Sequence, residues 1–366
     1  MSSIGIKELA LRARRTLHDM PELAFDEKRT LKFIADFLKE HTSLEIHIER
    51  GWLYAVHRED ADTSTAVRAD FDAVPYGDSA KHLCGHDGHT ASLLALALKL
   101  EGKRIGKNVI LLFQPAEETG AGAPVCCELF KREKVNAIVG AHNIPGKPMG
   151  QVLLKRGTFA CASCGMEIVM NGNPTHAAYP ENGVNPTAAI ASLALKIPHY
   201  AQELSSINGC MTLATVVGMQ TGKRAFGVAA SDGKLWVTLR SEHTELLDSL
   251  RAYASSEAEK LASEQGLSCT VDFFDVFPAT VNDDSLLENA VRKFSRDGIA
   301  CSMLDEPFRW SEDFGHYGHH VPSLFIGIGS GENTPPLHTA DYEYPDELVD
   351  VSSDIFLRII GSDFRL

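Results

Sequence analysis

The feature that most constrains this chain is an alternation. Short apolar and β-branched runs trade places with amphipathic helical segments through the first 140 residues. Ile6, Leu9, Ala13 and Leu17 recur at helical spacing, and Leu31, Ile34, Ala35 and Leu38 repeat the pattern. Runs at 44–48, 52–57, 65–69, 108–113 and 137–140 read as strands. Between the third and fourth, residues 90–100 (TASLLALALKL) are apolar on nearly every side, which predicts a helix packed on the sheet by one face and on other helices by the rest. Strands alternating with helices predict an α/β fold with a mostly parallel sheet.

The pattern changes between about 158 and 269. A strand at 168–170, a helix at 186–204, strands at 211–217 and 234–240 and a helix at 244–265 predict a smaller α+β unit inserted into the first. A strand at 324–328 and a helix at 346–360 then return to the opening style. At 366 residues the chain exceeds what one hydrophobic core sustains. The expected division is a catalytic domain of 1–162 and 273–366 around an insert of 163–272.

Charge and hydropathy exclude several classes. The 35 Lys and Arg against 49 Asp and Glu leave a formal charge of −14, which repels nucleic acid and anionic lipid. The longest apolar stretches, 109–113 and 324–328, are far short of the ~18–20 residues a membrane span needs. The opening MSSIGIKELALRARR is helical and charged at once, without the apolar core or cleavage site of a secretory leader, so a cytoplasmic protein is expected. Eight scattered cysteines in a chain of this length read as mostly buried thiols rather than a disulfide framework.

In open α/β sheets, ligands bind beyond the carboxyl ends of the strands. Here those ends are acidic or carry imidazoles: Asp70 and Asp72 after the third run, Glu117 and Glu118 after the fourth, His142 after the fifth and His338 beyond the run at 324–328. Cys84-Gly85-His86-Asp87-Gly88-His89 sets a thiol, two imidazoles and a carboxylate at the mouth of a helix. Thiolate and imidazole donors suit a zinc-like ion, while a helix start with polar caps would account for the same residues. In Glu117-Glu118 one carboxylate can bind metal and the other move a proton; an acidic pair on solvated surface is the plain alternative.

The strings HDMPELAFDE, RADFDAVP, CGHDGHT, PAEETGAGA, GAHNIP, THAAYPENGVNP, SEDFGHY and PPLHTADYEY occur in this order, from His18 to Tyr344. Together they resemble the aminoacylase/carboxypeptidase G metallopeptidase family, in its amidohydrolase branch of hippuricases, auxin-conjugate hydrolases and N-acetyldiaminopimelate deacetylases. The resemblance implies a metallohydrolase domain with an inserted dimerisation or lid domain. It implies two divalent ions, zinc foremost and manganese, nickel or cobalt as alternatives, held by Cys84, His86, Glu118, His142 and His338. Glu117 would be the general acid/base toward a metal-bridging water that attacks the amide of an N-acyl amino acid or related small amide, with Asp70 and Asp72 orienting the ligands. His176 of the insert would stabilise the oxyanion in a partner subunit's site, which makes a homodimer the expected assembly.

The chain departs from its relatives at Phe226-Gly227-Val228, where Gly227 replaces the asparagine expected to contact a substrate carboxylate. Arg240 matches the family as a substrate-binding candidate, and Arg224 and Arg309 are further cations for an anionic group. His89 reads as a support of the turn rather than a ligand. Cys161-Ala162-Ser163-Cys164 has no second CxxC and reads as two buried thiols; Cys126-Cys127 and His319-His320 carry no assignment. Two rival readings are a cysteine hydrolase, with Cys84 as nucleophile and His86 or His89 as base, and a non-catalytic relative that binds a small molecule.

Overall fold

The computed structural model describes residues 3–361. It divides into two compact units. One contains the chain up to Phe159, Thr280–Pro307 and the chain from Asp313 onward; the other contains Ala160–Ala279 and Phe308–Glu312.

The first unit is built on an eight-stranded sheet in the order Glu45–Ile48, Leu53–His57, Asn108–Gln114, Ser64–Asp70, Val135–Ile144, Ser323–Gly329, Val152–Leu154, Cys301–Met303. The four strands from Asn108–Gln114 to Ser323–Gly329 are mutually parallel. The flanks differ: Glu45–Ile48 and Leu53–His57 are too close in sequence for a crossover and pair antiparallel, as do Leu53–His57 with Asn108–Gln114 and Val152–Leu154 with Ser323–Gly329. The sheet is therefore mixed, with a parallel centre. Every residue of Ser64–Asp70, Asn108–Gln114 and Ser323–Gly329 is buried, as strands covered on both faces must be.

Helix His86–Leu100 is buried at every position, and helices Ser3–His18 and Asp346–Ile360 flank it, which explains its lack of a polar face. Asp284–Arg296, amphipathic and capped by Asp283 accepting from the Leu286 N–H, goes beyond the helices the sequence predicts. No helix among the described residues is long and apolar enough to cross a membrane.

The second unit carries an antiparallel sheet in the order Thr212–Thr221, Asp232–Ser241, Ala162–Asn171, Ser268–Phe277. Helices Thr187–Asn208 and Thr244–Gln265 supply Ile190, Leu193, Ile197, Leu247 and Leu250 to a core shared with Met166, Ile168, Leu235 and Leu239. A two-residue pairing joins Thr175–His176 to Val228–Ala229.

Candidate metal centre

The site assembles where the parallel strands of the first unit end. Asp70 closes one strand in register with Gln114, the last residue of its neighbour. Helix His86–Leu100 starts from Gly85, whose φ of +94° lies in the left-handed region. A Cβ on Gly85 would stand 2.7 Å from both Asn143 Oδ1 and Tyr342 Oη, so only glycine lets the turn set Cys84 and His86 on either side of itself. After Gln114, Pro115 and the left-handed Ala116 lead into a short 3₁₀ turn, Glu117–Thr119. His142 lies inside the strand Val135–Ile144 rather than beyond its end, paired with Gly327. His338 is also left-handed, with a φ of +62°, and its N–H donates to the Leu83 carbonyl, which brings it beside Cys84. Non-glycine residues in that region persist only where the surroundings impose it, a signature of functional turns.

Cys84, His86 and His142 form one group, and Cys84, Glu118 and His338 another, the donor atoms within each lying within 4.8 Å of one another. Cys84 belongs to both. His86, Glu117 and Glu118 converge within the same limit. Cys84 Sγ is 3.4 Å from His142 Nε2, and His142 Nδ1 lies 2.8 Å from the Asn143 carbonyl, which places the ring proton on Nδ1 and turns the Nε2 lone pair toward the thiol. Asp72 holds two of these residues at once: Oδ1 lies 3.0 Å from His86 Nδ1, and Oδ2 accepts from the Glu118 N–H at 3.0 Å.

These residues fit a divalent cation. His86 Nε2 and Glu118 Oε1 are buried, 3.7 Å apart, and make no hydrogen bond, and His338 Nε2 stands 3.5 Å from the same oxygen. Buried donors left this way are costly unless something electrophilic binds them. Electrostatics point the same way. Burial opposes a charge on His86, but Asp70, Asp72 and Glu118 overcome it and push its pKa up to about 10. Burial also opposes ionisation of Glu118, yet His338 and His86 hold it below its ordinary value. His142, by contrast, is kept neutral by burial and by the neighbouring His89. Soft thiolate and imidazole with carboxylate is the donor chemistry of zinc and its neighbours.

A buried network supports the centre. Arg68 Nη1 donates to Asp70 (2.6 Å), Nη2 to Asp313 (2.9 Å) and Nε to Gln114 Oε1 (2.7 Å). Burial works against ionisation of Asp70, but Arg68, His86 and His89 hold it well below the usual carboxylate range. Asp70 in turn meets His89 Nδ1 at 2.6 Å, and His89 Nε2 meets Asn143 Oδ1 at 2.6 Å. His89 thus braces the site through its neighbours. Asp313 accepts from Arg68, Gln114 Nε2 and the Ala123 N–H, while its own N–H donates to Glu117 Oε1 at 3.2 Å. Sequence reasoning overlooked Arg68, Asn143 and Asp313, although they stand in RADFDAVP, GAHNIP and SEDFGHY.

His176 and Arg240 belong to the second unit. His176 is exposed and accepts the Ala178 N–H on Nδ1. Arg240 donates from Nη1 to the Arg309 carbonyl (2.8 Å) and Ser311 Oγ (3.2 Å), bracing the segment 308–312. Burial pushes the Cys161 and Cys164 thiols up to about 12 and about 11, which makes them poor nucleophiles.

A mixed α/β sheet with clustered Cys, His and Glu donors at its strand ends, and a smaller α+β unit inserted in the chain, defines a metal-dependent hydrolase. The model of peptidase family M20/M25/M40 matches residues 66–362, and the chain belongs to that family, in its amidohydrolase branch. It is 29% identical over 364 residues to an N-acetylcysteine deacetylase of Bacillus subtilis (strain 168), covering 94% of each chain. To the IAA-amino acid hydrolase ILR1-like 4 of Arabidopsis thaliana it is 28% identical over 361 residues, covering 92% of this chain and 81% of the relative. Among solved structures, a dinuclear metal binding peptidase of the M20 family from Bacillus subtilis superimposes with a TM-score of 0.81 at 26% identity, covering 98% of each chain.

Proposed function

We propose that this chain hydrolyses the amide bond of N-acyl amino acids or related small amides. Two divalent ions, zinc foremost, would be held by Cys84, His86, Glu118, His142 and His338. The observation that carries the reading is the pair of donor groups sharing Cys84, with Glu117 beside them and anchored through Oε1 by the Asp313 N–H. The relatives named as an N-acetylcysteine deacetylase and an IAA-amino acid hydrolase support a substrate in which an acyl group is joined to an amino acid.

Bound ions would supply Lewis-acid chemistry, polarising the amide carbonyl and making a bound water more acidic. The chain's own residues do the rest. Glu117, 5% exposed, takes a proton from the attacking water and returns it to the leaving amine. The Asp313 N–H donates to Glu117 Oε1 and so orients the carboxylate. Asp72 sets the His86 ring and the Glu118 main chain together, and His89 and Arg68 hold Asp70 behind them. His176 is proposed to meet the oxyanion in a partner subunit's site within a homodimer, and Arg240 to serve substrate binding through the segment it braces.

The test combines metal content with the Glu117→Gln variant. Close to two equivalents of metal per chain, with Glu117→Gln retaining them while kcat for N-acetyl amino acids falls about 10²–10⁴-fold, is the expected result. Activity that resists chelation but is abolished by thiol alkylation would replace this reading with a Cys84 nucleophile. For that alternative His142 is the imidazole whose contact with the thiol is seen, its Nε2 lying 3.4 Å from Cys84 Sγ. A monomeric mass in solution would remove the role given to His176.

A further inference from the structure

The turn that presents Glu117 and Glu118 is held from a distant part of the chain. Ala116, which precedes it, has a φ of +53°. An L-residue there carries strain on the order of 1–2 kcal/mol, so its neighbours must impose the conformation. Its carbonyl accepts from the Gly122 N–H at 3.1 Å and from Thr119 Oγ1 at 3.2 Å. A Cβ on Gly122 would lie 1.7 Å from the Pro115 carbonyl oxygen, so this closure requires glycine. The Ala116 N–H donates to Glu27 Oε1 at 2.9 Å, eighty-nine residues away in sequence.

Glu27 is itself held in place. It lies at the start of helix Lys28–His41, where its carbonyl accepts from the Leu31 N–H. Glu22 secures the same helix start by accepting from the Arg29 N–H, the Thr30 N–H and Thr30 Oγ1. Both Glu27 and Ala116 are buried.

We infer that Glu27 is a positioning residue for the hydrolytic reaction: its carboxyl clamps the Ala116 N–H and thereby fixes the turn from which Glu117 and Glu118 project. The inference rests on Glu117 acting as the acid/base. The Asp313 N–H donates to Glu117 Oε1, so the carboxylate is held at its tip as well as at the root of its turn. Losing the root contact leaves a buried N–H without its acceptor in a strained turn, and a shift of ~1 Å at a reacting group costs about 10²-fold in rate. Burial, with the charge of Asp72 adding to it, pushes Glu27 up to about 7 against the hydrogen bonds it accepts. Near neutrality both its forms are present, and each offers an oxygen to Ala116. Glutamine reproduces that acceptor and alanine does not.

The experiment compares wild type, Glu27→Ala, Glu27→Asp and Glu27→Gln. It measures kcat and KM for N-acetyl amino acids on protein loaded with metal, and hydrogen exchange across residues 114–122 on metal-free protein. Expected for Glu27→Ala is a kcat lower by about tenfold or more, with KM within about twofold, and faster exchange confined to 114–122. Glu27→Gln should recover kcat to within about threefold and restore the slow exchange. If Glu27→Ala does not fold, Glu27→Asp, which withdraws the carboxyl by one methylene, must show the same division. Wild-type kcat and exchange in the truncated variant, or a glutamine variant as impaired as the truncated one, would overturn the clamp. A wild-type enzyme inactive on every amide would defeat the hydrolase reading instead, and exchange would still decide the clamp.

Discussion

Replacing Arg68 by methionine gives the sharpest energetic test of how this centre is supported. Arg68 is 1% exposed and donates to Gln114 Oε1, Asp70 and Asp313, the two carboxylates being fully buried. Methionine keeps much of the volume but leaves two carboxylates without their shared cation. Removing one partner of a buried ion pair costs about 3–5 kcal/mol. In a unit of about 240 residues, each 1 kcal/mol moves Tm by about 2–4 °C, so the expected loss is roughly 6–20 °C near pH 8.

The size of that loss depends on pH in a definite direction. Asp70 has a folded pKa depressed in part by Arg68, so it contributes stability above its unfolded value that is lost as pH falls. Asp313 is raised by burial to about 6 despite Arg68, so it costs stability as pH rises from its unfolded value through 6. Without the guanidinium, the first contribution shrinks and the second cost extends to higher pH. The gap between wild type and variant therefore widens from pH 5 to pH 8. Thermal unfolding of metal-free protein at both pH values measures it. A deficit equal at pH 5 and pH 8, or a Tm within about 2 °C of wild type at pH 8, would refute the claim that Arg68 acts by charge compensation.

Other substitutions probe separate parts of the site. Asp72→Asn leaves an oxygen for the Glu118 N–H or for His86 but not for both as an anion, and metal affinity measured by competition with a chelator should fall about 10–100-fold. Gly88→Ala would place a Cβ 2.2 Å from the Tyr344 ring, in a helix buried at every position, and should lower Tm while releasing metal from the displaced His86; unchanged stability would mean the helix can shift without cost. Glu117→Gln, described above, should separate proton transfer from metal retention.

Much of the architecture was legible locally because it depends on local patterns. Apolar periodicity located the helix at 244–265 and the helix at 346–360, and the buried strands announced themselves as unbroken apolar runs. Helix Asp284–Arg296 and strand Ser268–Phe277 escaped, the latter because its exposed positions alternate with half-covered ones and its apolar signal is diluted. The flanking antiparallel strands could not be told from parallel ones by composition, since pairing direction is set by the connection and not by the strand.

The residue types of the site were equally visible, because strand ends are where a parallel sheet displays chemistry and because thiol, imidazole and carboxylate are unusual together. Sequence by itself determined the element pattern, the donor types and their order along the chain. Only the tertiary structure decided which donors share Cys84, that His142 faces the thiol through Nε2, and that Asp313, itself held by Arg68, contacts Glu117 while Glu27 contacts the turn before it. Those relations join residues separated by tens to hundreds of positions. They arise from sheet register and left-handed turns that no local window of sequence contains.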